Sequence, residues 1–172
     1  MEDKAEKIFE ILKTRERASD FLILSDILKS LEHYVGDIDF TKVLQEKFGH
    51  PIPNWFNDVL SVLPDLGKNL ENRDEILNIV SLVQDMISES DTVKIEMPFE
   101  PSSDFLNKAL TLLKEYFNVN GKTGKNILLD VEVKELSDAG ALVYVDGKFI
   151  DLTLRNQVIN YLSTEDVISR YL

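Results

Sequence analysis

The spacing of apolar residues changes near residue 92, and this change limits the fold more than any other feature of the sequence. Before it, apolar residues recur at the three- and four-residue intervals of helices that bury one face. After it, Val93, Ile95 and Met97 alternate with polar residues, as in a strand with one buried face. We therefore predict an α+β protein with two domains, an all-α helical bundle at residues 1–91 and a small α/β domain at residues 92–172.

Five helices are predicted in the first domain from runs of apolar residues with helical spacing. Their apolar positions are, in chain order, Ala5, Ile8, Phe9 and Leu12; Leu24, Ile27, Leu28, Leu31 and Val35; Phe40, Val43, Leu44 and Phe48; Trp55, Phe56, Val59, Leu60 and Leu63; and Ile76, Ile79, Val80, Leu82, Val83, Met86 and Ile87. Gly36 is predicted to end the second helix. Asn72 is a favourable N-cap for the fifth, with Glu75 three residues later as in a capping box.

The second domain is predicted to contain a three-stranded sheet that includes a hairpin. Apolar residues alternate over 93–97 and again from Ile127 to Val133, and Ser102 or Ser103 is predicted to cap a helix between these strands. The hairpin joins residues 141–145 to 148–152 through Asp146-Gly147, because a two-residue type I′ turn needs positive φ at both positions. Thr153 is predicted to cap a further helix.

The charge and composition of the chain argue against several classes of function. The net charge of −12 would repel the phosphates of nucleic acids and anionic lipids, so we expect no nucleic-acid partner. No apolar run approaches the roughly 20 residues of a membrane-spanning helix, so we expect no direct membrane insertion. His33 and His50 are far apart and cysteine is absent, so we expect no metal site. Gly121-Lys122-Thr123 lacks the spacing of a phosphate-binding loop, and no cofactor is expected.

Asp130 and Glu132 are the candidates for catalysis, because alternate residues of a strand share one face and paired carboxylates can act as acid and base. Lys134 continues the same face. A mixed-charge surface explains these three residues without a catalytic site. A hydrolase is therefore the less favoured interpretation, and we expect the chain not to be an enzyme.

The segment from the second strand to the last predicted helix carries a family resemblance. In order it contains Val131-Glu132-Val133, Ala139-Gly140, an apolar strand at 141–145, Asp146-Gly147-Lys148, Ile150-Asp151, Thr153 and Arg155. These residues resemble the C-terminal signature of the delta subunit of F-type ATP synthases, the family that includes the mitochondrial oligomycin sensitivity-conferring protein. The resemblance covers about residues 92–162, with Ala139-Gly140 where the family usually has two glycines.

The resemblance implies a non-catalytic stator subunit of a rotary, proton-translocating ATP synthase. It implies that the helical domain binds N-terminal helices of the alpha subunits, and that the second domain binds the b subunits of the peripheral stalk. It also implies a peripheral location on the cytoplasmic face of the cell membrane, or the organelle equivalent, as part of that complex. The alternative is an adaptor unrelated to ATP synthase, whose mixed domain binds a peptide strand at an exposed sheet edge.

The fifth predicted helix provides the candidate partner-binding surface. Its apolar residues span an arc of roughly 220°, whereas covering one core takes a stripe of about 100° or somewhat more. A central, enclosed helix explains this arc as well as a partner groove does. If the surface is a groove, the candidate contacts are Ile79, Leu82 and Met86, with Ile8 and Leu12 from the first helix.

The remaining candidate residues are given structural roles. Asp151 is predicted to accept hydrogen bonds from the first-turn N–H groups of the helix after Thr153 and to form an ion pair with Arg155. We therefore interpret Asp151 as a helix cap and not as a catalytic or binding residue. The other members of this structural motif are Gly140, Asp146, Gly147 and Thr153.

Overall fold

The structure, a computed structural model, describes residues 1–30, 40–49, 51–63, 73–119, 121, 126–135, 139–145 and 147–153. The chain divides into two units, Met1–Ser90 and Asp91–Leu172. The division falls one residue before the predicted one, because the first strand begins at Asp91. Several predicted features lie outside the described residues: His33, Gly36, His50, Asn72, Lys122, Thr123, Asp146, Arg155 and the helices after Thr153.

The described residues of the first unit form helices at the five predicted places. They are α1 (Glu2–Leu12), α2 (Arg15–Ser30), α3 (Phe40–Phe48), α4 (Asn54–Val62) and α5 (Arg73–Ser88). The end of α3 follows from local chemistry, because Gly49 adopts a φ of 72°, which side-chain-bearing residues rarely do. Thr14 begins α2 as an N-cap, since its Oγ accepts a hydrogen bond from the Arg17 N–H at 3.3 Å.

Helix α1 holds the first unit together, because it packs against α2, α4 and α5. Its buried residues are the predicted stripe of Ala5, Ile8, Phe9 and Leu12. The other helices and their ends complete the core with Ala18, Phe21, Leu24, Leu28, Phe56, Val59, Leu63, Ile76, Ile79, Val80 and Val83. Burial of a large apolar side chain stabilises a fold by about 1.5–3 kcal/mol, so these contacts dominate the stability of the bundle.

The second unit confirms the α+β class but corrects the number of strands. In chain order it contains β1 (Asp91–Met97), α6 (Ser103–Val119), β2 (Ile127–Val133), β3 (Leu142–Val145) and β4 (Lys148–Asp151). The sheet has four strands in the order β2-β1-β3-β4. The prediction of three was wrong because both arms of the hairpin join the sheet: β3 pairs antiparallel with β1, and β4 pairs with β3.

Helix α6 connects the parallel strands β1 and β2 and covers one face of the sheet. It begins after Ser102, whose Oγ accepts a hydrogen bond from the Phe105 N–H at 3.2 Å. The buried cluster on this face consists of Val93, Ile95, Met97, Leu106, Phe117, Ile127, Leu129, Ala141, Val143 and Val145. Because side chains alternate along a strand, the charged residues Lys94 and Glu96 lie on the opposite face.

Residues 91–172 are expected to fold when they are expressed without the helical unit, because their strands and α6 share a buried apolar cluster. Amide NMR spectra should show wide dispersion, with the amides of Val93 and Ile95 protected from hydrogen exchange. A narrow spectrum without protected amides would contradict this expectation.

Candidate functional site

Three of the five residues predicted to contact a partner belong to the core instead. Ile8, Leu12 and Ile79 each have 0% exposed surface. The reason is that α1 and α5 pack directly on each other, so each helix buries the middle of its apolar stripe in that contact. A partner could reach these side chains only if the bundle opened, and we therefore withdraw them as surface contacts.

The other two residues, Leu82 and Met86, are half-buried and lie at the edge of the core. They share one side of α5 with Glu75, which precedes them by seven and eleven residues. The Glu75 carboxylate contacts the Lys4 ammonium of α1 at 2.7 Å. This ion pair joins the first turns of the two helices, so Leu82 and Met86 lie on the side of α5 next to α1.

Ile11 occupies the corresponding position on α1 and was missed by the sequence analysis. It follows Lys4 by seven residues, which places it on the same side of the helix, and it is half-buried. The sequence could have identified Ile11 by its position at the border of the apolar stripe of α1. We call Ile11, Leu82 and Met86 the α1–α5 seam.

The opposite border of α5 is fixed by polar contacts with α2. Ser25 is fully buried, and its Oγ accepts a hydrogen bond from Gln84 Nε2 at 2.7 Å. Gln84 Oε1 in turn accepts a hydrogen bond from the Lys29 ammonium at 2.6 Å. Gln84 lies about 200° around the helix from Leu82, so the wide apolar arc of α5 comprises a buried centre, a border toward α2 and the seam toward α1.

Acidic side chains border the α1–α5 seam. Asp85 and Glu89 are exposed and follow Leu82 and Met86 by three residues each. On α1, exposed Glu10 and exposed Lys7 flank Ile11, so the acidic border lies mainly along α5. The whole chain carries a net charge of −12. An apolar helix flanked by basic residues would complement this surface, because opposite charges at an interface rim speed association.

In the second unit, Gly140 occupies a position that has no room for a side chain. Its φ is 132°, and an added Cβ would lie 2.5 Å from the carbonyl oxygen of Leu152 and from the Cα of Thr153. The two backbone segments meet where the Leu152 N–H donates a hydrogen bond to the Ala141 carbonyl at 2.9 Å. Glycine is therefore required at this position by the packing of the strand ends.

The hairpin turn and Asp151 also have local structural causes. Gly147 has a φ of 70° between β3 and β4, which fits the predicted type I′ turn. The Thr153 N–H donates a hydrogen bond to Asp151 Oδ1 at 2.9 Å, whereas the predicted helix and its Arg155 lie outside the described residues. Asp151 thus has a local backbone contact at the end of β4, and its role as a helix cap stays a prediction.

Asp151→Ala is expected to lower the free energy of unfolding of the second unit by about 0.5–2 kcal/mol, because the Thr153 N–H loses its acceptor. Asp151→Asn keeps an acceptor oxygen and should lose less. Urea unfolding followed through the NMR signals of β1 measures both. Unchanged stability together with loss of partner binding would show that Asp151 takes part in binding and is not a structural residue.

Four charged residues form an ion cluster on the sheet face away from α6. Its members are Lys94 and Glu96 of β1, Glu132 of β2 and Lys134 just after β2. The Lys94 ammonium lies 2.9 Å from the Glu96 carboxylate and 2.8 Å from that of Glu132. The Lys134 ammonium lies 2.8 Å from Glu96 and 3.0 Å from Glu132. Each lysine thus bridges both carboxylates, which the parallel register places side by side.

These contacts keep both carboxylates ionised. Hydrogen bonds from Lys134 and Lys94 lower the pKa of the Glu96 carboxyl to about 2, and hydrogen bonds from Lys94 and Lys134 lower the pKa of Glu132. A general acid at neutral pH needs the opposite, a raised pKa. The hydrolase interpretation of Asp130 and Glu132 gains no support from this geometry, whereas the mixed-charge surface describes it directly.

Glu96→Gln is expected to destabilise the second unit at pH 7, and the difference from wild type should depend on pH. A lowered pKa in the folded state adds stability above the ordinary value of about 4.5, and this is lost as the pH falls toward 2. Urea midpoints should therefore differ by a constant amount above about pH 5 and converge between about pH 4.5 and 2.

The matched control is Asp104→Asn, which removes a pair with Lys108 whose side chains are 75% and 74% exposed. It should change stability little, because exposed pairs contribute little. A gap between wild type and Glu96→Gln that persists unchanged down to pH 2 would contradict the role of the ion cluster.

The described residues contain neither a metal-binding cluster nor a membrane-spanning helix. Within them, no three His, Asp or Glu side chains are placed to hold a metal ion. None of the described helices has the length and apolar character required to cross a bilayer.

A comparison with models of protein families gives no match to this sequence, and a comparison with curated proteins gives none either. The family resemblance therefore depends on the motif residues of the sequence alone.

Proposed function

We propose that this chain is a non-catalytic stator subunit of a rotary, proton-translocating ATP synthase. In this role it connects the catalytic head to the peripheral stalk and resists the torque of the rotor, so that proton flow is coupled to ATP synthesis. Its location is the cytoplasmic face of the cell membrane, or the organelle equivalent, as a peripheral part of the complex.

The main support is the agreement between the residues of the resemblance and the constrained positions of the second unit. Gly140 lies where the backbone of Leu152 and Thr153 leaves no space for a Cβ. Asp151 accepts the hydrogen bond at the end of β4. The order of strand, helix, strand and hairpin is also the order that the resemblance implies. These are the positions at which a shared fold would demand shared residues.

The first unit supplies the surface proposed to bind the head. The α1–α5 seam is half-buried and bordered by acids, and it is proposed to bind the N-terminal helix of an alpha subunit. Apolar burial contributes about 25 cal/mol per Å², less the cost of ordering the peptide. Basic residues beside the apolar stripe of that helix would make association faster at low salt.

The second unit is proposed to bind the b subunits of the peripheral stalk. This assignment comes from the resemblance.

An adaptor that adds a peptide strand to the sheet is the alternative. The described sheet has two outer strands, β2 with seven residues and β4 with four. The Leu152 N–H bonds to Ala141, and antiparallel strands alternate the direction of their backbone groups. Phe149 and Asp151 are therefore the two residues of β4 whose backbone groups point away from β3, so the β4 edge offers few hydrogen bonds to an added strand.

Titration of the full-length chain with the N-terminal helix of the alpha subunit from the same organism tests the proposal. Isothermal calorimetry should show saturable binding that weakens as salt is added. A control peptide of the same composition in scrambled order should not bind. Equal binding of both peptides, or of neither, would contradict the proposed function of the seam.

A further inference from the structure

We draw no further inference here: the strongest candidate, the exposed apolar side chains of Phe149, Ile150 and Leu152 along and just after the outer strand β4, carries nothing because the described part of the structure does not show what covers them.

Discussion

Gly140→Ala is expected to destabilise the second unit by about 3 kcal/mol or more, since it combines a steric clash with backbone strain. The new Cβ would lie 2.5 Å from two backbone atoms, and backbone cannot move aside as a flexible side chain can. Hydrogen exchange of the β1 amides measures the effect, and 3 kcal/mol corresponds to roughly hundredfold faster exchange. Trp55 is the only tryptophan of the sequence and lies in the first unit. Its fluorescence reports the unfolding of that unit, and this transition should be the same in Gly140→Ala as in the wild type.

Gly147→Ala is the matched control for this substitution. Gly147 also has a positive φ, but no described atom lies within 4 Å of a Cβ built there. Gly147→Ala should therefore lower the free energy of unfolding of the second unit through backbone strain alone, by about 1–2 kcal/mol. Equal losses from the two substitutions would contradict the close approach at Gly140.

Ile79→Asp and Leu82→Asp are expected to differ in their effects on the folding of the helical unit. Ile79 is fully buried, so an unpaired carboxylate there should cost about 4 kcal/mol or more and unfold the bundle. Leu82 is half-buried at the seam, so its replacement can turn toward water and leave the bundle folded. Binding of the alpha-subunit peptide to Leu82→Asp should nevertheless weaken by about thirtyfold, as for an interface hot spot.

Ile23→Asp provides the control for both variants. Ile23 lies on the outer surface of α2 and is 50% exposed, so this variant should stay folded and bind the peptide normally. Circular dichroism reports folding, and calorimetry reports binding. Unfolding of Leu82→Asp as complete as that of Ile79→Asp would place Leu82 in the core and remove the seam as a docking surface.

Much of the helical unit could be predicted from sequence because burial follows helical spacing. Ala5, Ile8, Phe9 and Leu12 were predicted to share one face, and all four are buried. The partner-binding set could not be resolved in this way, because Ile79 and Leu82 look alike in a periodic pattern. Their exposure depends on where α1 lies beside α5, and only the tertiary packing determines that position.

The sheet of the second unit could likewise be predicted only in part, because strand pairing depends on contacts between distant residues. Alternation located β1 and β2, and the Asp146-Gly147 turn located the hairpin strands, but the number of strands in the sheet required knowing that β3 pairs with β1. The ion cluster also depends on long-range register, since Glu96 lies opposite Glu132 although 36 residues separate them in the sequence. Asp151 was easier, because an acid at a strand end can accept a hydrogen bond from a backbone N–H close to it in sequence. Gly140 was singled out by the resemblance, and the close approach of Leu152 and Thr153 that requires glycine there is a tertiary contact.

Purification of the tagged chain from its source organism, with quantification of the proteins that accompany it, tests the stator role most directly. The wild-type chain should recover the alpha subunit of ATP synthase together with the b subunits of the stalk. Leu82→Asp should lose the alpha subunit while keeping the b subunits, because only the seam is altered. Recovery of the folded wild-type chain without any ATP synthase subunit would contradict the proposed function.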